Sequence, residues 1–202
     1  MYLIGLTGGI ASGKSTVSKM LSELGAYIVD ADKITHEITE PGKPAWHDII
    51  VTFGQAITDS SGHINRKRLG TIIFADPKAK ARLELITHPR IAEEAMIAVA
   101  SAQKQGCKVI VLDAPLLIEA KWHTYVDAVW LVYINEKTQV IRLMLRDNCS
   151  YEAAMSRINA QLSLQEKLKY ANVVINNSKT IGNTKKQVIK AWNEINAIGN
   201  PV

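Results

Sequence analysis

The sequence contains no CxxC pair, no Asn-Lys-x-Asp, no basic run of five and no long apolar stretch. Each absence removes a class of protein. Two cysteines, Cys107 and Cys149, stand far apart. With no secretory context they read as reduced thiols, which excludes a disulfide-stapled scaffold. The five histidines form no metal pair at helical spacing. Residues 1–10 lack a basic start, and Gly5, Gly8 and Gly9 interrupt their apolar run. That segment is therefore neither a signal peptide nor a membrane span, and a cytoplasmic protein is expected. The net charge of +5 favours polyanionic partners. The densest basic groups are only Arg66-Lys67-Arg68 and Lys185-Lys186. A nucleic-acid arm is not expected, and phosphorylated small molecules remain.

What is present is 202 residues, 47% hydrophobic and 21% charged, enough for one domain with a sizeable core. Residues 2–7 (YLIGLT) read as a buried strand running into glycines. Residues 15–24 carry Val17, Met20, Leu21 and Leu24 on one helical face. A second short strand at 27–29 follows Gly25, so the chain opens as a βαβ unit with a parallel sheet. Helical stretches at 76–86 and 91–103 fall within a mostly helical insertion over about 41–105, with turns at Pro41-Gly42 and Ser61-Gly62. Strands are expected at 108–113, 128–134 and 173–175, and helices at 137–146, 151–162 and 181–198. The expected fold class is α/β, a three-layer sandwich around a five-stranded parallel sheet.

Gly8-Gly9-Ile10-Ala11-Ser12-Gly13-Lys14-Ser15 matches GxxxxGK[ST] between a predicted strand and helix, where the motif requires it. Glycines let successive amides turn inward around an anion, and the helix N-terminus adds partial positive charge. Lys14 is placed to reach the β- and γ-phosphates, and the Ser15 hydroxyl to ligate Mg²⁺. Without Asn-Lys-x-Asp a GTPase is not supported, and the Asp-x-x-Gly at 59–62 reads as a turn. A small P-loop kinase using ATP is the natural class.

Three sets of polar residues could complete such a site. Asp113 ends an apolar strand and would face the metal if that strand lies beside the P-loop strand; otherwise it is a turn or capping aspartate. Asp30 and Asp32 (VDAD) close the second strand, and a carboxylate there could take an acceptor hydroxyl's proton. Alternatively, Asp32 caps the helix that follows. Arg142 and Arg146, at i,i+4, could neutralise a transferring phosphoryl group from a lid or form a solvated face. His36 and His88 read as structural or capping residues.

In series, these segments resemble the dephospho-coenzyme A kinase family over nearly the whole chain. The matching stretches are LTGGIASGKST at 6–16, DAD at 30–32, EPG at 40–42 and HINR at 63–66. His88-Pro89, DAPLLIE at 113–119, LRD at 145–147 and RINAQ at 157–161 continue the match. The resemblance implies ATP and Mg²⁺ as cofactors, dephospho-CoA as substrate, and phosphorylation of its ribose 3′-hydroxyl as the last step of coenzyme A biosynthesis. It implies Asp32 as general base, with Lys14 and Arg142 stabilising the phosphoryl group. It places Ala11, Ser12, Gly13, Lys14, Ser15 and Thr16 around ATP, joined by Arg146 and by Asn177 near the adenine. Ser15 and Asp113 would hold the metal. Asp30, His36, Arg66, His88, Pro115, Leu116 and Leu117 would surround the acceptor, and a lid would span about 138–165. No protein partner is implied. The alternatives are a kinase of a nucleoside or sugar acid, or a nucleotide-dependent switch. Two departures stand out. Ala11 occupies a usual glycine position, where a methyl fits if φ is negative. ANVVINN at 171–177 puts Asn172 and Asn176 in place of two usual aspartates.

Overall fold

In the computed structural model, which describes residues 1–198, five strands form one sheet in the order β2-β3-β1-β4-β5. They are β1 (Tyr2–Gly8), β2 (Tyr27–Asp30), β3 (Val109–Asp113), β4 (Ala128–Tyr133) and β5 (Val173–Asn176). β1 pairs in parallel with β3 and β4, and β4 with β5. The sheet and the interleaved helices bear out the α/β expectation. Helix α1 (Lys14–Glu23) follows β1, and the described chain ends in α9 (Ile181–Ile198).

Side-chain alternation along the strands explains the layers. Ile4 and Leu6 of β1 and Ala128, Trp130 and Val132 of β4 join one buried cluster. That cluster also holds Val17, Met20 and Leu21 of α1 and Val188, Ala191 and Trp192 of α9. Leu131, on the opposite face of β4, packs with Ile134 and Leu164. Gly5 of β1 leaves room for Leu117, since a β-carbon there would lie 2.6 Å from a Leu117 methyl.

The chain divides into two compact units, one made of residues 1–29 with the chain from Val99 onward, the other of residues 30–98. The second unit begins with α2 (Ala31–Ile38), α3 (Pro44–Phe53) and α4 (Arg66–Ala75). Its core joins Ile49, Ile57 and Leu69 to Phe53, Ile73, Leu83 and Ile86. Asp59 makes the expected turn, its carboxylate accepting from the Ser61 and His63 amides.

Helix α5 (Pro77–Lys104) departs from the expected pair of helices, because it runs on through Pro89. Proline removes the bond to the residue four positions back. Here that is Leu85, a residue that is 76% exposed. A second departure concerns residues 151–162. Helix α6 (Glu136–Asp147) is followed by α7 (Tyr151–Asn159), which stops early, and a separate α8 (Leu164–Leu168) begins at Ser163. Ser163 and Glu166 form a reciprocal capping box that fixes the new start. Among the described residues no helix is long and apolar enough to cross a membrane.

Candidate active site

The first unit contains a cradle built by the turn from β1 into α1. Ser12 N donates to Gly9 O at 3.0 Å, closing the loop, and Gly13 turns it with φ 87°. Gly13 is the N-cap of α1 and supplies no side-chain bond. Among the described residues, the amides of Gly13, Lys14 and Ser15 have no protein acceptor. Helix starts normally need such acceptors, and an anion supplies them. The Ser12 hydroxyl is likewise buried without a partner. An uncapped helix start beside an orphaned hydroxyl fits the phosphate groups of ATP.

Strand pairing brings charge to the cradle. Leu6 of β1 lies opposite Asp113 of β3, so the end of β3 stands beside the P-loop strand. Lys14 Nζ is ion-paired with Asp113 Oδ1, and both side chains are largely buried. This pairing separates Asp113 from an ordinary capping aspartate. Ser15 is exposed at the helix start and Thr16 is half-buried. No group of three or more His, Cys, Asp or Glu is arranged around a metal among the described residues. A Mg²⁺ site here would comprise the Ser15 hydroxyl, Asp113, phosphate oxygens and water, which suits an ion that keeps several waters.

Arg142 also borders the cradle, its Nη1 4.0 Å from where a Gly13 β-carbon would stand. It is half-buried, and its Nη2 donates to Asn177 O at 3.0 Å. Asn177 braces the loop: its Nδ2 donates to Ser12 O at 2.8 Å, and its Oδ1 accepts from Thr184 at 2.8 Å. Arg146 is exposed and bound to Asp147, which also accepts from Arg157. The Arg146 hydrogen bond is the main cause holding the Asp147 carboxyl below its usual range.

Ala11 does not meet the condition of a negative φ, because its φ is +60°. A left-handed alanine costs about 1–2 kcal/mol. Its methyl joins Ile10 against the apolar cluster of Val140, Leu143 and Ala154, which offsets part of that cost. At the other departures, Asn172 Oδ1 accepts from Val129 N and Asn176 Oδ1 from Ser178 N. Each is an acceptor role that a carboxamide performs as a carboxylate would.

The segment after Asp113 is tied down by a charge that sequence reasoning missed. Lys167 of α8 has a fully buried side chain, donates to Pro115 O at 2.7 Å and pairs with Glu119 at 2.9 Å. Thr7 also donates to Pro115 O. Burial pushes the Lys167 pKa down; Glu119 opposes this, and Lys14 adds to it. Pro115 and Leu116 remain partly accessible, whereas the Leu117 side chain is fully buried beneath Gly5.

The second unit holds four of the acceptor-side candidates, Asp30, His36, Arg66 and His88, and the candidate base Asp32. Asp30 caps α2, accepting from the Asp32 and Lys33 amides at 2.8 and 3.1 Å. The cap is thus Asp30, and Asp32 sits inside the first turn of the helix, not on the strand. Asp32 and His36 are exposed and one turn apart on α2. Asn65 caps α4 and sets Arg66 at its first position, where Nη2 donates to Thr39. Partial burial lowers the Arg66 pKa, while Glu40 and Asp32 raise it. His88 is half-buried within α5, immediately before Pro89.

Comparison with known proteins agrees with this geometry. A family model described as dephospho-CoA kinase matches residues 2–183. A dephospho-CoA kinase of Carboxydothermus hydrogenoformans is 47% identical over 187 residues, spanning 93% of this chain and 91% of the relative. One from Geobacter sulfurreducens is 46% identical, spanning 95% and 98%. The solved dephospho-CoA kinase of Campylobacter jejuni superposes with a TM-score of 0.70 at 30% identity, covering 96% of each chain.

Proposed function

The chain belongs to the dephospho-CoA kinase family, ATP-dependent enzymes of coenzyme A biosynthesis, and we propose that Lys14, Arg142 and Asp32 carry its chemistry. In this reading the γ-phosphoryl group of ATP passes to the ribose 3′-hydroxyl of dephospho-CoA. The observation that carries it is the start of α1, where partnerless amides are flanked by Lys14 and Arg142.

The amides of Gly13, Lys14 and Ser15 bind the phosphate chain, and Lys14 exchanges part of its pairing with Asp113 for the phosphates. Arg142 closes the charge around the transferring group, where fixed cations lower the barrier most. Ser15 and Asp113 would hold Mg²⁺, which supplies further charge neutralisation when bound. Asp32 accepts the proton of the acceptor hydroxyl. Capping does not account for Asp32, since Asp30 performs it. Arg66, with Lys67 next to it, provides cationic charge for the acceptor's pyrophosphate. In this reading His36, His88, Pro115, Leu116 and Leu117 complete the acceptor set. The reading includes a cytoplasmic location, which the unpaired thiols Cys107 and Cys149 support.

Asp32→Asn tests the assignment of the base. The substitution keeps shape and helix propensity, so kcat should fall about 100-fold or more with little change in KM. Equal kcat in the two proteins would remove Asp32 from the chemistry.

A further inference from the structure

Of the four unspecified positions of the P-loop motif, Gly9 to Ser12, Ile10 is held from outside the loop by a pair of glutamines. Ile10 N donates to Gln161 Oε1 at 2.9 Å, and Gln139 Nε2 donates to Ile10 O at 2.9 Å. One residue of the loop thus has both backbone groups bound by side chains more than a hundred positions away. Gln139 projects from α6 and is buried, while Gln161 lies in the link between α7 and α8. The pair also explains Gly9, which the motif itself does not require. A β-carbon there would lie 2.6 Å from Gln139 Nε2 and 3.4 Å from Leu164.

Next in the chain is Ala11, with its left-handed backbone. Such strain persists only where the surroundings over-determine it. The two glutamines meet that requirement by fixing the peptide groups of the preceding residue. Both also border a cavity of about 320 Å³.

We propose that Gln139 and Gln161 are positioning residues: by clamping Ile10 they hold the phosphate loop in its ATP-binding shape and tie it to the α6–α8 segment. They touch loop backbone, not substrate. The inference rests on the loop being the ATP cradle. The two roles are chemically opposite. Gln161 must accept, so glutamate can replace it. Gln139 must donate, and glutamate there would face a carbonyl with a carboxylate.

The test compares Gln161→Met, Gln161→Glu, Gln139→Met and Gln139→Glu, each checked for a cooperative melt. Losing a hydrogen bond to a partly buried peptide group should raise KM for ATP about tenfold in both methionine variants. KM for dephospho-CoA should stay within about twofold. Gln161→Glu should recover most of the ATP affinity, whereas Gln139→Glu should be at least as impaired as Gln139→Met. Equal KM values for ATP across all four, or equal damage from both glutamates, would overturn the clamp. Lys14→Ala, run in parallel, separates this from the underlying reading. If Lys14→Ala loses turnover while the glutamine variants behave as wild type, the clamp fails and the cradle stands. If Lys14→Ala also turns over normally, the cradle itself is wrong.

Discussion

Gly13→Ala puts the strain that the loop avoids into measurable form. With φ at 87°, an alanine pays about 1–2 kcal/mol for the left-handed conformation. Its β-carbon would also lie 2.2 Å from Asn177 Nδ2, a contact that cannot persist. Asn177 has little freedom to yield, because it is buried and bound to both Ser12 O and Thr184 Oγ1. Displacing it forfeits two buried hydrogen bonds at about 1 kcal/mol each. The restricted unfolded chain of the alanine variant returns about 0.5–1 kcal/mol. The net loss is about 3 kcal/mol, a fall in Tm of about 6–12 °C for a chain of this size. Asn177→Ala alone should cost about 2 kcal/mol through the same two bonds. The double variant should therefore be scarcely less stable than Gly13→Ala, with a coupling of about 2 kcal/mol. Chemical denaturation of the four proteins closes the cycle. Strictly additive losses would refute the argument, since the clash and the lost bonds would then be independent.

Arg142→Lys keeps the charge but loses the planar fork that reaches Asn177 O, so kcat should drop about tenfold or more. Steady-state kinetics matching wild type would exclude Arg142 from the site. Lys167 gives a pH signature. Its pKa is lowered from the ordinary 10.5, so between the folded value and 10.5 the unfolded chain binds more protons and stability rises with pH. Relative to a Lys167→Met/Glu119→Gln reference, in which neither group titrates, wild type should gain stability as pH rises through that window toward 10. A falling difference in urea midpoints would contradict the buried cation.

The parts of the site that lie in one stretch were legible in the sequence. The strand, the glycines, Lys14 and Ser15 form a contiguous pattern, and the βαβ opening placed them correctly. Asp113 was legible because a strand end is a local feature, though its pairing with Lys14 needed the β1–β3 register. The contacts of Gln139, Gln161 and Lys167 were not legible as geometry. They join residues 52 to 151 positions apart, and no periodicity encodes such pairs. A buried lysine also runs against the compositional expectation that charges lie outside. The early stop of α7 did have a signal, the Ser163-x-x-Glu166 box, which apolar spacing alone overrode. For Ala11 the sequence left φ open, and only the packing of its methyl shows what offsets the strain. Asp30 and Asp32 were read as a strand pair, yet β2 ends at Asp30 and the cap falls two residues earlier than the alternative at Asp32.

The central claim is phosphorylation of a ribose 3′-hydroxyl, and the product tests it directly. Incubation of the protein with MgATP and dephospho-CoA, followed by phosphorus NMR, should reveal one new phosphomonoester on the ribose 3′-oxygen, with ADP released in equal amount. A product in which an existing phosphate chain has been extended, or ADP release that does not depend on the acceptor, would contradict the account.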